Sequence, residues 1–344
     1  MRIRIFVGTG GVGKTSLTAA TGLQTALSGG KCLVLTIDPA WRLKTALNLT
    51  SGDLQQKVDL SGLSLTGELW AALLDVGASL DRAVRLYARA EQAETVLKHP
   101  IYHILTTSIA GMQELMAVER IGQALEDGFE SIFVDTAPAR HAFEFLDKPE
   151  FFVQLVTFPI VKLIGRTYKM WEGSALQKLS HKAFELYTRV EELLGASLVR
   201  EILDFFSVFQ TVAESYADRA KRTLRLLRDP RVTGFSVVTT PFKAGRDADY
   251  FWSQLRDRRF SVESLIVNRV WPALQPDLPS DLPATLSRTV AWYQDVSQGH
   301  QRSLNAVFER YSGRIPKLIL VPEQAQDLHG VEALYSIAKS VGKL

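Results

Sequence analysis

Apolar residues along this chain follow two patterns, short and mostly apolar runs and longer stretches in which they recur every three or four positions. The runs are Ile3 to Val7, Lys31 to Ile37, Leu69 to Leu74, Ser131 to Val134, Thr233 to Thr239, Val262 to Asn268 and Lys317 to Val321. Such runs predict strands, and the continuous one, Lys31 to Ile37, is typical of a buried strand in a parallel sheet. Helical spacing predicts helices over Ser16 to Ser28, closed by Gly29-Gly30, and over Ala78 to Leu97, Met112 to Leu125, Asp249 to Arg258 and Val331 to Val341. The alternation of the two predicts an α/β fold with six or seven mostly parallel strands flanked by helices.

One block breaks the alternation. From Phe151 to about Arg228 the pattern is almost wholly helical, with Phe184, Tyr187, Glu191, Leu194, Leu198, Ile202, Phe205, Phe209, Val212 and Tyr216 stepping by three or four. This predicts a helical insertion, 151–228, with the stretch 78–125 a candidate to pack against it. Its basic end, Arg219 to Arg228, reads as a solvated helix face rather than a nucleic-acid surface. Between Pro272 and Pro283 four prolines mark an irregular loop.

The chemistry sits where the first strand turns into the first helix. Gly8-Thr9-Gly10-Gly11-Val12-Gly13-Lys14-Thr15 fits GxxxxGK[ST], the pattern of a phosphate-binding loop. Glycines let successive backbone N–H groups curl around a phosphate, and the helix N-terminus, continuing into Ser16, adds positive potential. Lys14 then reaches the outer phosphates and the Thr15 hydroxyl can ligate magnesium, which points to ATP and Mg as ligands. The alternative is a glycine-rich turn. Two further strands end in carboxylates, Asp38 and Asp135, and a hydrophobic strand ending in aspartate resembles the second nucleotide motif, whose carboxylate holds the magnesium shell. Asp38 could equally cap the helix that follows Pro39. The expected nucleotide domain is therefore 1–150 with 229–344.

Composition narrows the partners. Forty basic against 37 acidic residues leave a formal charge of +3, too balanced for nucleic acid or an anionic membrane as main partner. The single cysteine, Cys32, allows no internal disulfide or thiolate cluster, and the cytoplasm is the expected setting. The N-terminus shows no secretory pattern, and the most apolar segment, Phe151 to Gly165, is interrupted and too short for stable insertion in a bilayer.

With these landmarks the chain resembles the ArsA-like ATPases, the group of the arsenite-pump and tail-anchored-protein targeting ATPases, over essentially its whole length. The resemblance rests on Gly10 to Thr15 and on Asp38-Pro39-Ala40 and Asp135-Thr136-Ala137-Pro138 with His141 as first and second switches. Val267-Asn268-Arg269 and Val321-Pro322 match the adenine-side motifs. It implies a dimer, a homodimer or a hetero-oligomer, that closes on ATP, opens after hydrolysis to ADP, and moves helical subdomains to handle a protein or membrane-protein cargo. Carried over, Gly10, Gly11, Val12, Gly13, Lys14, Thr15 and Ser16 cradle the phosphates, and Thr15 and Asp135 serve magnesium. Asp38 positions or activates the attacking water, Asp135 senses magnesium and the γ-phosphate, and Asn268, Val321 and Pro322 meet adenine. Lys14, Asp38 and Asp135 are thus the expected catalytic residues.

The chain departs from the family in three places. Thr9 stands where relatives carry a lysine that reaches the partner's nucleotide, so either hydrolysis is slow or another cation, Arg42 or Arg140, takes its part. The stretch after the adenine motif has no CxxC, and Cys32 alone cannot bind arsenite through several thiolates. The readings that follow are a switch coupled to cargo, an ATPase subunit of an arsenite-type efflux system, and a nucleotide-binding scaffold with little hydrolysis.

Overall fold

The computed structural model describes residues 1–38, 42–47, 49, 55–63, 66–103, 112–138, 142–144, 146–149, 195–272, 283–324 and 330–341. These divide into two compact units, one of residues 1–74, 124–143 and 225–344 and one of residues 75–123 and 144–224.

The first unit is built on eight strands, β1 (Arg2–Gly8), β2 (Lys31–Thr36), β3 (Gln56–Lys57), β4 (Glu68–Leu73), β5 (Ser131–Asp135), β6 (Thr233–Thr239), β7 (Val262–Val270) and β8 (Lys317–Pro322). They lie in the order β3-β4-β2-β5-β1-β6-β7-β8. All neighbours are parallel except β3, which pairs antiparallel to β4. Six or seven strands were expected. The additional one is β3, two polar residues at the sheet edge with no apolar run to announce it.

Helices α1 (Lys14–Leu27), α2 (Arg42–Ala46), α7 (Ala244–Asp257), α8 (Ala284–Tyr311) and α9 (Gly330–Val341) belong to this unit. Leu17, Ala20 and Leu23 of α1 share a core with Val34, Phe133, Leu334, Ile337 and Val341. Three threonines inside α1, Thr18, Thr21 and Thr25, return their hydroxyls to the carbonyl four residues back, so that they are satisfied without leaving the helix. Gly13, in the left-handed region at φ 90°, begins the helix.

The second unit contains α3 (Val76–Tyr87), α4 (Ala90–Lys98) and most of α5 (Met112–Glu126) and α6 (Ala196–Arg228). The expected helix 78–97 is two helices, because Ala88 and Arg89 are extended. Asp75 starts α3 by accepting the N–H of Ala78. Within the unit a buried polar cluster centres on Glu119, which accepts from the Tyr87 hydroxyl at 2.7 Å and the Gln123 amide at 2.9 Å and has the Arg219 guanidinium at 3.5 Å. The apolar segment from Phe151 to Gly165 lies outside the described residues.

Candidate functional site

The carboxyl ends of β1, β2 and β5 meet because β5 lies between the other two, pairing Phe6 of β1 and Thr36 of β2 each with Asp135. The loop from Gly8 to Thr15 therefore starts beside Asp135. Open parallel sheets bind ligands at this edge, beyond the strand ends.

Two glycines of the loop are required by their surroundings. A Cβ on Gly8 would lie 2.3 Å from the Val238 carbonyl oxygen, so the start of the loop is pressed against β6. At Gly13 the positive φ and the Asn268 amide nitrogen, 2.3 Å from where a Cβ would stand, both demand glycine. Asn268 holds its place by donating to the Val12 carbonyl at 2.9 Å. It is aimed there by an irregularity in β7, whose pairing with β8 slips between Val267 and Val270 while Arg269 takes a left-handed φ of 59°.

Lys14 is buried and its ammonium donates to the Gly8 and Thr9 carbonyls, both at 3.2 Å. The Thr15 hydroxyl donates to Asp135 Oδ2 at 2.7 Å, and the Thr36 hydroxyl reaches the same oxygen at 3.2 Å. The other carboxylate oxygen, Oδ1, is buried without a hydrogen-bond partner. Asp135 is 1% exposed, and burial pushes its carboxyl up to about 6, against the lowering effects of Thr15, Lys14 and Thr36 and with a further push from Asp38. A buried carboxylate with one orphaned oxygen, next to a threonine hydroxyl, is the donor set of a hard divalent cation such as Mg²⁺. The residues present fit that ion.

Asp38 follows β2 and is half-buried, with the Ile37 N–H held by the Asp135 carbonyl at 2.9 Å. Gly10, Gly11, Val12 and Ser16 lie on the loop and the first turn of α1. Val321 and Pro322 end β8 at the same sheet edge, Pro322 in register with Val270. Arg42 opens α2, whereas Pro39, Ala40, Trp41, Arg140 and His141 lie outside the described residues.

One residue escaped the sequence reading. Asp247, in the first turn of α7 and 2% exposed, accepts from the Thr9 and Thr239 hydroxyls, each at 2.9 Å. An acidic residue in a first turn reads as ordinary dipole compensation, and its threonine partner is 238 residues away.

Among known proteins, the family model described as anion-transporting ATPase matches residues 1–343. An arsenical pump-driving ATPase of Prosthecochloris vibrioformis is 26% identical over 66% of this chain, which spans 53% of that relative's length. The arsenical pump-driving ATPase 2 of Aquifex aeolicus is 25% identical, with 98% of both chains covered. The ATPase GET3 of Rhodotorula glutinis is 23% identical over 96% of this chain and 85% of its own.

Proposed function

This chain belongs to the anion-transporting ATPase family, and on that premise we propose that it binds ATP with Mg²⁺ and hydrolyses the β–γ phosphoanhydride. The observation that carries this reading is the convergence of Lys14, Thr15 and Asp135 at the ends of adjacent strands β1 and β5, with Asp135 Oδ1 left for a cation. The backbone from Gly10 to Ser16 cradles the phosphates, and Lys14, its ammonium still held by the Thr9 carbonyl, reaches the β- and γ-phosphates. Thr15 and Asp135 hold the magnesium ion, which neutralises charge on those phosphates. Asp38 orients the attacking water and accepts its proton. Asn268, Val321 and Pro322 form the adenine side.

We assign the nucleotide domain to 1–150 and 229–344, and the handling of a protein or hydrophobic segment by a dimer in the cytoplasm to the helical part around 151–228. Phe151, Phe152, Leu155, Phe158, Ile160, Leu163 and Trp171 are the apolar residues of this stretch that the reading assigns to such a cargo. Among the described residues no helix is long and apolar enough to cross a membrane. Thiolate capture of an anion has no support, because Cys32 is buried and burial pushes its thiol up to about 12.

Phosphate release from ATP, measured for the wild type, Lys14→Ala and Asp38→Asn, tests the reading. We expect Mg²⁺-dependent turnover that falls by roughly 100-fold in either variant, as loss of positioning and charge stabilisation does elsewhere. Turnover equal in all three proteins would sink it.

A further inference from the structure

The phosphate loop is pinned at both ends by the same device. At its far end Thr15 and Thr36 share one oxygen of Asp135, and at its start Thr9 and Thr239 share Oδ2 of Asp247. The second arrangement joins the ends of neighbouring strands, since Thr239 closes β6 and Thr9 follows β1, paired through Gly8 and Val238. Asp247 leaves no orphaned buried oxygen, in contrast to Asp135.

What the clamp holds is the residue that holds Lys14. The Thr9 side chain is fixed by Asp247 while the Thr9 carbonyl accepts from the Lys14 ammonium at 3.2 Å. A hydrogen-bonded path thus runs from the Asp247 carboxylate through Thr9 to the Lys14 ammonium. Gly8 adds rigidity, because its contact with the Val238 carbonyl leaves the loop start no room to slide toward β6.

We infer that Thr9 and Asp247 are positioning residues for the phosphoryl-transfer site, acting through Lys14. This rests on the ATPase reading above and deepens it: in this chain Thr9 is turned inward as a strut. Small displacements of a group that stabilises charge in the transition state cost more in rate than in ground-state affinity. ADP lacks the γ-phosphate, so its binding reports little of the change.

The test compares wild type, Thr9→Val, Thr9→Ser, Asp247→Ala and the Thr9→Val/Asp247→Ala pair. Thr9→Val keeps the shape and removes the hydroxyl, and we expect kcat to fall about tenfold while the Kd for ADP stays within about twofold. Thr9→Ser restores kcat to within about twofold, and the double variant is no slower than Asp247→Ala, as for two members of one path. Amide hydrogen exchange of residues 8–14 in the nucleotide-free proteins reads the clamp without hydrolysis: faster in Thr9→Val, as in the wild type in Thr9→Ser. Unchanged exchange and unchanged kcat in Thr9→Val overturn the clamp. A wild type that turns over no ATP overturns the ATPase reading, and the exchange measurement then decides the clamp alone. Should Asp247→Ala fail to fold, the Thr9 pair carries the test.

Discussion

Two buried carboxylates of this protein, Asp135 in the sheet unit and Glu119 in the helical unit, have opposite surroundings. Glu119 has a cation at 3.5 Å and two neutral donors, from Tyr87 and Gln123, on one oxygen. Asp135 has only hydroxyls in hydrogen-bonding contact, those of Thr15 and Thr36. The first arrangement is how a helix core retains a charge, since burial is tolerable once an opposite charge and hydrogen bonds compensate it. In the second, burial outweighs the lowering effects of Thr15, Lys14 and Thr36 and raises the carboxyl of Asp135. Burial alone therefore does not identify a functional carboxylate. Its place at the strand ends, beside Thr15 and Lys14, does.

Substitutions can break this contrast, and the largest expected effect is at Asp135. Asp135→Asn should lower Mg²⁺-dependent ATP turnover by roughly 1,000-fold, because the amide cannot serve the cation. The same change should stabilise the nucleotide-free fold at pH 8 by ~2 kcal/mol, since a shift of about two pKa units corresponds to nearly 3 kcal/mol and the new amide N–H needs a partner. Phosphate release and denaturant titration check the two halves, and a loss of both activity and stability would contradict the contrast.

At the other carboxylate the order reverses. Glu119→Gln removes the charge opposite Arg219 and should destabilise the fold by ~3 kcal/mol, while the Kd for ATP stays within about twofold. Thermal unfolding and nucleotide titration measure this, and a weakened Kd without lost stability would assign Glu119 to function instead.

The smallest effect is one of pH. Asp135 must be ionised to hold a cation and its carboxyl is raised from 3.8 to about 6, so Mg²⁺-dependent ATP affinity should weaken about tenfold per unit below pH 6 and level off above it. The linkage to stability has the opposite sign. The folded state binds the proton more tightly than the unfolded one, so this group's stabilising contribution is complete below pH 3.8 and lost as pH rises through 6. Asp135→Asn should show neither trend.

The strands and the loop were legible because each is a local pattern. Strands inside a parallel sheet are mostly apolar, and seven of the eight, β1, β2, β4, β5, β6, β7 and β8, announce themselves that way. The long helix α8 escaped because it buries mainly Ser297, His300, Leu304, Val307 and Tyr311 and leaves most of its remaining surface to solvent, so no wide apolar stripe marks it. Helix α7 starts five residues earlier than expected, at Ala244, where Gly245 and Arg246 resemble a loop. That early start brings Asp247 into the first turn, beside Thr9.

The sequence by itself determined the α/β class, the phosphate-loop pattern and the carboxylates that close β2 and β5, since these depend on residues near one another along the chain. Only the tertiary structure decided which strand lies between β1 and β2, which oxygen of Asp135 lacks a partner, and that Thr9 faces Asp247. These are contacts across some 100 to 240 residues, set by how the crossovers pack onto the sheet, and neither spacing nor composition carries that information.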